Sequence, residues 1–350
     1  ATELLDHVID HFCLLYASNV MLRKRNLMNL FTVDMKQPET MLDSITLIHA
    51  VSTSLASHIP EVQESAIYAI KRIHKHSELI YVKKCVFEYS LVYELVKQFM
   101  HNCYKEAFYE KKAGVLGIKT LMNDIDISVD FLKKAQPDLV SAFLFVLKDT
   151  QAGASSQITE DAEKLLIEVL KITLKGATEA DLDSKLLQHS LTDICVELSN
   201  SKKRVRKACQ ACLSVINEVT NIPIVKLMER SKNFLLSPIF AKPLRALSFT
   251  MQIGNVDAIT YCLGLPVTFL TFNEELFRLL QEVIVLADAE DESLSTIQRA
   301  TEHQTSEQLT QLRISCIKLL ALALKNEEFA TAQSGNIRIR VLAVFFKTML

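Results

Sequence analysis

The sequence predicts an all-α protein, a HEAT-like helical-repeat solenoid of the α-α superhelix type. Apolar residues recur with helical spacing along most of its 350 residues, a length that exceeds what one hydrophobic core usually supports. Glycine and proline number only 7 each, against about 24 and 17 at average usage, which favours long helices over turn-rich folds. The third observation is a pattern that returns at nearly constant intervals.

This pattern places apolar or small residues at offsets 0, 4, 7, 8 and 11 of a helical segment. VQESAIYAIKRI, which begins at Val62, and VRKACQACLSVI, which begins at Val205, agree at each offset. Looser copies begin at Glu110 and Ile158, so the starting positions lie 48, 48 and 47 residues apart. Two helices in a unit of about 40–47 residues are typical of HEAT and armadillo repeats. We therefore expect about six or seven helical pairs in one continuous array over residues 1–350.

The second helix of each pair carries the pattern. Small residues at offsets 4 and 7 allow neighbouring helices to approach closely, while larger residues at offsets 0, 8 and 11 fill the layer between repeats. The first helices are expected between the copies, over residues 87–100, 138–148 and 186–199.

One stretch, residues 237–266, breaks the regular succession of helices. Pro238 and Pro243 lie within it, and because proline interrupts helices, we predict an irregular segment near residues 234–255. The repeat count places this segment where a helical pair is due. We therefore expect a distorted repeat rather than a domain boundary, with residues 237–252 ordered and largely buried.

A second break follows at residues 288–308, which read DAEDESLSTIQRATEHQTSEQ. The acidic and polar composition predicts an exposed loop, with helices over 272–287 and 309–325 on either side. Apolar periodicity is already under way at the first residue and continues to the last, which we interpret as a fragment of a much larger chain.

Charge and hydropathy limit the kinds of partner that the chain is expected to bind. The net charge of −2 gives no general attraction to nucleic acid or anionic membranes, and no apolar run approaches the ~18 residues of a membrane span. We expect no membrane association and no direct sequence-specific nucleic acid binding. The eight cysteines are scattered among apolar residues. This distribution predicts buried, reduced thiols, as in proteins of the cytosol or nucleus.

No pattern for catalysis, cofactor binding or metal ligation stands out. Cys209 and Cys212 form a CxxC, but they occupy the offsets of Ala66 and Ala69, so we interpret them as small core residues. The two histidines of HVIDH, residues 7–11, lack both a catalytic glutamate and a third ligand, which favours surface positions. We predict no enzyme activity, no catalytic residue, no cofactor and no metal.

The densest basic run, KKRVRK, has two interpretations. It could be a nuclear-import signal or a contact for a partner or phosphate. The favoured interpretation is the solvated start of a repeat helix with Val205 pointing inward, since no aromatic residues are interleaved for base stacking. The candidate partner or phosphate contacts are Lys202, Lys203, Arg204, Arg206 and Lys207.

Long irregular strings in the second half of the chain carry a family resemblance. They are LLSPIFAKPLRALSFTMQIGNVDAITYCLGL, TFNEELFRLLQEVIVLADAEDESL, QLRISCIKLLALAL and IRIRVLAVFFKTML, joined by FYEKKAGVLGIKTLM at residues 108–122. In these strings the chain resembles the helical-repeat region of the transformation/transcription domain-associated protein family.

The resemblance implies a function. Family members are very large chains of HEAT and related repeats that end in a kinase-like domain without catalytic residues. They are nuclear scaffold subunits of histone acetyltransferase coactivator complexes, SAGA and the NuA-type complex, and they receive transcription activators. The chain would then be a non-catalytic scaffold segment whose apolar grooves accept amphipathic activator helices. The alternative is a generic HEAT-repeat adaptor for transport or phosphatase assembly.

Overall fold

The computed structural model describes residues 2–23, 31–32, 43–125, 127–150, 156–266, 269–289, 302–326 and 335–349. Within these ranges the regular secondary structure is helical, and the single strand-like pairing is an isolated bridge between Phe31 and Tyr81. The all-α prediction is confirmed. The chain forms two compact units, Ala1–Lys175 and Gly176–Leu350. Continuity of one array over both units stays a prediction.

The first unit consists of successive helical pairs. Its helices are α1 (Thr2–Arg23), α2 (Ile45–Leu55), α3 (Pro60–Ile80), α4 (Val86–Tyr89), α5 (Leu91–Cys103), α6 (Phe108–Asp124), α7 (Val129–Asp149) and α8 (Ser156–Thr173). Helix α2 packs on α3, α5 on α6, and α7 on α8. The first helices α2, α5 and α7 form one layer, and the second helices α3, α6 and α8 form the other, with α1 packed on α3.

The second unit repeats this two-layer arrangement with more variation. Its helices are α9 (Lys185–Val196), α10 (Lys203–Thr220), α11 (Ile224–Met228), α12 (Lys232–Ala241), α13 (Phe249–Leu263), α14 (Glu274–Asp288), α15 (Glu302–Lys325) and α16 (Gly335–Met349). Helices α9, α12 and α14 form one layer, and α10, α13 and α15 form the other. Helix α16 packs against α14 and α15.

The predicted period is present in the structure. Helices α3, α6, α8 and α10 each begin two residues before the corresponding start of the sequence pattern. The residues at offsets 4, 7, 8 and 11 are buried in all four copies. Because α3, α6 and α10 each contact a partner in their own pair and the second helix of the next pair, their inward faces are covered along most of their length.

Glycine at two offsets of α6 brings this helix unusually close to α5. A Cβ atom on Gly114 would lie 2.6 Å from the carbonyl oxygen of Phe99, and one on Gly117 would lie 2.5 Å from the Phe99 ring. Phe99 is fully buried, so its ring has no free space into which it can withdraw. The expectation that small residues permit close helix approach is therefore confirmed for this pair.

Ion pairs link successive second helices of the first unit. They are Asp10–Arg72 between α1 and α3, Lys71–Asp124 at 3.2 Å between α3 and α6, and Lys119–Asp161 at 3.0 Å between α6 and α8. Burial opposes ionisation of Asp10, but its hydrogen bond from Arg72 and the nearby cations outweigh this and hold the pKa of Asp10 below its usual value. Partly exposed pairs of this kind contribute about 1 kcal/mol or less each, so they orient the helices more than they stabilise them.

The irregular segment is narrower than predicted. Residues 234–241 belong to α12 and residues 249–255 belong to α13, so the break is confined to residues 242–248, which include one turn of 3-10 helix. Pro238 lies inside α12, where it removes the hydrogen bond to the carbonyl of Phe234. Phe234 is exposed, so a water molecule can donate to its carbonyl in place of the missing N–H.

The expected extensive burial of residues 237–252 was wrong. Ile239, Leu244, Phe249 and Gln252 are buried, whereas nine of the sixteen residues are exposed. Eight of the exposed residues lie in α12 or in the turn after it, and the ninth, Met251, lies in the first turn of α13. The segment does occupy a repeat position, since α12 and α13 contact the neighbouring layers on both sides.

Two further boundaries differ from the predictions. Helix α15 begins at Glu302, so the last seven residues of the predicted loop 288–308 are helical, while residues 290–301 lie outside the described residues. Helix α7 begins at Val129, nine residues before the predicted start, and contains Pro137. The carbonyl that Pro137 leaves unpaired belongs to Lys133, an exposed residue of α7, where water can bond to it.

All eight cysteines are buried, so their predicted burial is confirmed. Burial raises the pKa of the Cys103, Cys195, Cys262 and Cys316 thiols to about 12. They therefore stay protonated near neutral pH and are poor nucleophiles.

Among the described residues, no single helix is both long and apolar enough to cross a membrane. One pair of helical segments, Lys203–Thr220 and Ile224–Ala241, reaches the required length and composition only when both are counted together. The two segments meet at a bend of 118°.

Substitution of Gly117 by alanine tests the close contact between α5 and α6. The added methyl group would overlap the buried Phe99 ring, and overpacking of this kind costs about 1–3 kcal/mol. We expect Gly117→Ala to lower the melting temperature by about 2–4 °C for each kcal/mol, measured by circular dichroism.

Gly264→Ala is the matched control. The nearest atoms to a Cβ at Gly264 lie at 3.3 and 3.4 Å, and its φ of −82° suits any residue. This variant is expected to change stability by about 0.5 kcal/mol or less. Equal destabilisation by the two substitutions would contradict the assigned role of Gly117.

Candidate functional site

The basic run lies at the beginning of α10, where the chain leaves the turn after α9. Lys202, Lys203 and Lys207 are exposed, Arg204 is half-buried and Val205 is fully buried. The inward position of Val205 agrees with the interpretation of this run as the solvated start of a repeat helix. Lysine side chains in this position extend into solvent because the buried face of α10 is taken by the apolar offsets of the repeat.

Arg206 does not belong to the exposed run, which corrects its prediction as a partner or phosphate contact. Only 4% of its side chain is exposed. One guanidinium nitrogen donates to the Oδ2 of Asp257 at 2.6 Å. The other terminal nitrogen donates to the carbonyl oxygens of Asn200 at 2.8 Å and Ser201 at 3.0 Å. Its hydrogen-bonding capacity is thus directed into the protein.

These contacts join three parts of the second unit. Arg206 is on α10, Asp257 is on α13, and the two carbonyls belong to the turn between α9 and α10. Guanidinium is suited to this position because its planar set of donors reaches a carboxylate and backbone carbonyls at once. A buried charge is tolerated when it is paired and hydrogen-bonded, as this one is.

Gly254 allows the same three parts to meet. A Cβ atom at this position would lie 2.3 Å from the carbonyl oxygen of Ser199 and 2.8 Å from that of Asn200. The backbone of α13 therefore rests directly on the turn after α9. Asp257 follows Gly254 by about one helical turn, which places its carboxylate beside the guanidinium of Arg206.

Sequence reasoning missed this arrangement, although a signal was present. Gly254 lies 49 residues after Val205, close to one repeat period, and the repeat count already places the next helical pair there. A cationic residue near the start of one second helix, such as Arg206, then lies close to an acidic residue on the next second helix, such as Asp257. The interpretation of the whole basic run as a solvated helix start does not separate Arg206 from the lysines beside it.

The structure also locates the cysteines and histidines that the sequence analysis considered as possible ligands. Cys209 and Cys212 are fully buried in the core, as predicted. His7 and His11 are exposed on α1. In the part of the chain that the structure describes, no group of three or more His, Cys, Asp or Glu residues could hold a metal ion.

Replacement of Arg206 by methionine tests its structural role. The variant leaves Asp257 without its cation and two turn carbonyls without their donor, so we expect a loss of about 3 kcal/mol in the free energy of unfolding. Urea unfolding followed by circular dichroism measures this loss.

Lys226→Met is the matched control, since it also exchanges a cation for methionine in an interhelical pair. The Lys226 and Glu179 side chains are 54% and 58% exposed and their charged atoms lie 2.7 Å apart. Exposed pairs contribute about 1 kcal/mol or less. If both substitutions cost the same, Arg206 has no special role in the unit.

Comparison with known proteins identifies the family. A family model described as the Tra1 HEAT repeat ring region matches residues 1–350. The chain is 62% identical over 351 aligned residues to the SAGA complex/NuA4 acetyltransferase complex subunit TRA1 of Saccharomyces cerevisiae, and the match covers 100% of this chain. It is 31% identical over 337 residues to the SAGA complex/NuA4 acetyltransferase complex subunit Tra1 of Schizosaccharomyces pombe, with 95% of this chain covered.

The similarity extends to animals. The transformation/transcription domain-associated protein of Homo sapiens is 24% identical over 324 residues, which cover 89% of this chain. The chain spans 9% of the length of each yeast relative and 8% of the human one. The resemblance drawn from the irregular strings and the HEAT-repeat prediction are both confirmed. The chain belongs to the Tra1 HEAT repeat ring family.

Proposed function

We propose that the chain is a non-catalytic scaffold segment of a transcription coactivator subunit of histone acetyltransferase complexes. The observation that carries the proposal is the match of the whole chain to the Tra1 ring region, together with relatives named as SAGA and NuA4 subunits. Its partners would be other subunits of these complexes and transcription activators, and it would act in the nucleus.

The architecture supports a binding role. Two-layer helical repeats present long lateral surfaces, because each pair exposes the outer faces of its helices while burying the inner ones. Several large apolar side chains are exposed on these outer faces, among them Leu79 on α3, Tyr109 on α6 and Phe234 on α12. Side chains of this kind anchor partner helices that lie in apolar grooves.

Non-catalytic action is consistent with the chemistry of the described residues. The matched family model describes a repeat region. Buried cysteines with raised pKa values are unsuited to nucleophilic catalysis. The buried cations Lys111 and Arg206 are engaged in structural pairs with Asp149 and Asp257.

Cross-linking of the intact assembly tests the proposed function. The full-length protein would be purified from cells through a tag, cross-linked through its lysines and analysed by mass spectrometry. We expect cross-links from exposed lysines of this segment, such as Lys84 and Lys133, to acetyltransferase-complex subunits. Purification from cells with the untagged protein is the control.

Two outcomes would contradict the proposal. Recovery of transport cargo or phosphatase subunits in place of acetyltransferase subunits would favour the generic adaptor. If a photoreactive activator cross-links elsewhere in the full-length protein and never to this segment, the activator-binding part of the proposal is wrong.

A further inference from the structure

The turn after α9 and the turn after α12 lie near each other at one edge of the second unit. Each turn joins the first helix of a pair to its second helix, so both emerge at the same end of the two helix layers. The backbone of α13 rests on the turn after α9 at Gly254. Ser248, which precedes α13, lies six residues before Gly254, or about 9 Å along the helix axis. The two turns therefore form one continuous edge.

Cations concentrate along this edge. Lys203 and Lys207 are exposed one helical turn apart at the start of α10, and Lys242 and Arg245 are exposed in the turn after α12. We call these four residues the edge cations. Residues 198–217 and 230–256, which contain them, include no Asp or Glu, although the chain has 41 acidic residues and a net charge of −2. The positive charge of the edge is therefore a local property that the composition of the whole chain conceals.

The carboxylates nearest to the two turns are engaged elsewhere. Asp257 is paired with the buried guanidinium of Arg206. The Glu282 Oε2 atom accepts a hydrogen bond from the backbone N–H of Leu244 at 2.6 Å, and Glu197 accepts one from the side-chain amide of Asn200 at 2.6 Å. Among the described residues, none of the edge cations has an ion-pair partner. Their charge is thus available to an anionic partner.

The repeat itself does not require cations at this position. The second helices α3 and α6 carry Glu61 and Glu110 in their first turns, where the positive end of the helix dipole favours an acidic side chain. Helix α10 begins instead with Lys203 and Arg204, and its first turn has no acidic residue. Packing of the repeat therefore leaves the basic run unexplained, whereas an anion bound beside it would compensate both the lysines and the helix dipole.

We propose that the edge cations bind the phosphate backbone of duplex nucleic acid without reading its sequence. Lysine ammonium groups on flexible stems suit the evenly spaced phosphates of a duplex, where about 9 Å of helix axis carries roughly three phosphates on each strand. Contacts to phosphates carry no sequence information. A duplex is favoured over a single strand, because residues 199–207 and 241–248 include no aromatic side chain on which unpaired bases could stack. This contact goes beyond the scaffold function, which does not require nucleic acid.

Fluorescence anisotropy on the full chain tests the proposed contact. The probes are two fluorescein-labelled DNA duplexes of unrelated sequence and equal length, and a fluorescein-labelled polyglutamate peptide serves as the protein-like anion. At about 50 mM salt we expect both duplexes to bind with a Kd below about 100 μM and within about 2-fold of each other. The polyglutamate peptide is expected to bind at least about 10-fold more weakly, because its charges lack the spacing of a duplex backbone. Four phosphate contacts predict a slope of about −3.6 for log K against log salt concentration.

Charge neutralisation locates the contact on both turns. Lys203→Gln combined with Lys207→Gln, and Lys242→Gln combined with Arg245→Gln, are each expected to weaken duplex binding by about 10-fold or more and to reduce the size of the salt slope by about 2. The matched control is Lys84→Gln combined with Lys133→Gln, which removes two charges at exposed positions of the first unit and should retain duplex binding within about 2-fold.

Thermal melting shows whether each variant is folded, and the Lys→Ala and Arg→Ala versions replace any glutamine pair that melts at a lower temperature. The proposed contact is overturned if either pair of edge variants binds the duplexes as the wild type does, or if the first-unit control loses binding equally. Equal affinity for polyglutamate and duplex would also overturn it, since the edge would then select acidic protein segments. A wild-type Kd weaker than about 100 μM for both duplexes at about 50 mM salt has the same meaning. Each of these results leaves the cross-linking test of the scaffold function unaffected.

Discussion

Close contact between a second helix and its neighbours is the constraint on which both units depend. The backbone of α6 reaches α5 because Gly114 and Gly117 carry no side chain, and α13 reaches the turn after α9 because Gly254 carries none. Larger residues at the remaining offsets then fill the layer between repeats. Three of the seven glycines, Gly114, Gly117 and Gly254, thus lie where atoms of a neighbouring element would meet any side chain.

Charged groups complete this arrangement in two ways. Partly exposed ion pairs connect α1, α3, α6 and α8 along the second-helix layer. The buried guanidinium of Arg206 instead binds a carboxylate and two backbone carbonyls, which fixes α13 against the repeat before it. This contact helps to hold α13 in its repeat position beside α12, a helix of 10 residues that contains Pro238.

The fold could be predicted well because its signal is periodic and local. Helical spacing, the interval of 47–48 residues and the burial of Cys209 and Cys212 all follow from single helices packing in a repeated way. Pro238 misled the prediction of an irregular segment, since it lies inside α12 and frees the carbonyl of Phe234, an exposed residue. The inward direction of the Arg206 side chain depends on contacts between residues distant in the chain, which one sequence does not reveal.

Native-state hydrogen exchange tests the central claim most directly, because exchange rates report how well each helix is covered. In the repeat arrangement, α6 and α10 are flanked by their own partners and by the next repeat, whereas α4 and α11 are single short turns of helix. We predict that amides in the middle of α6 and α10 exchange most slowly in their units, and those of α4 and α11 much faster. Equally fast exchange in all four helices would contradict the account.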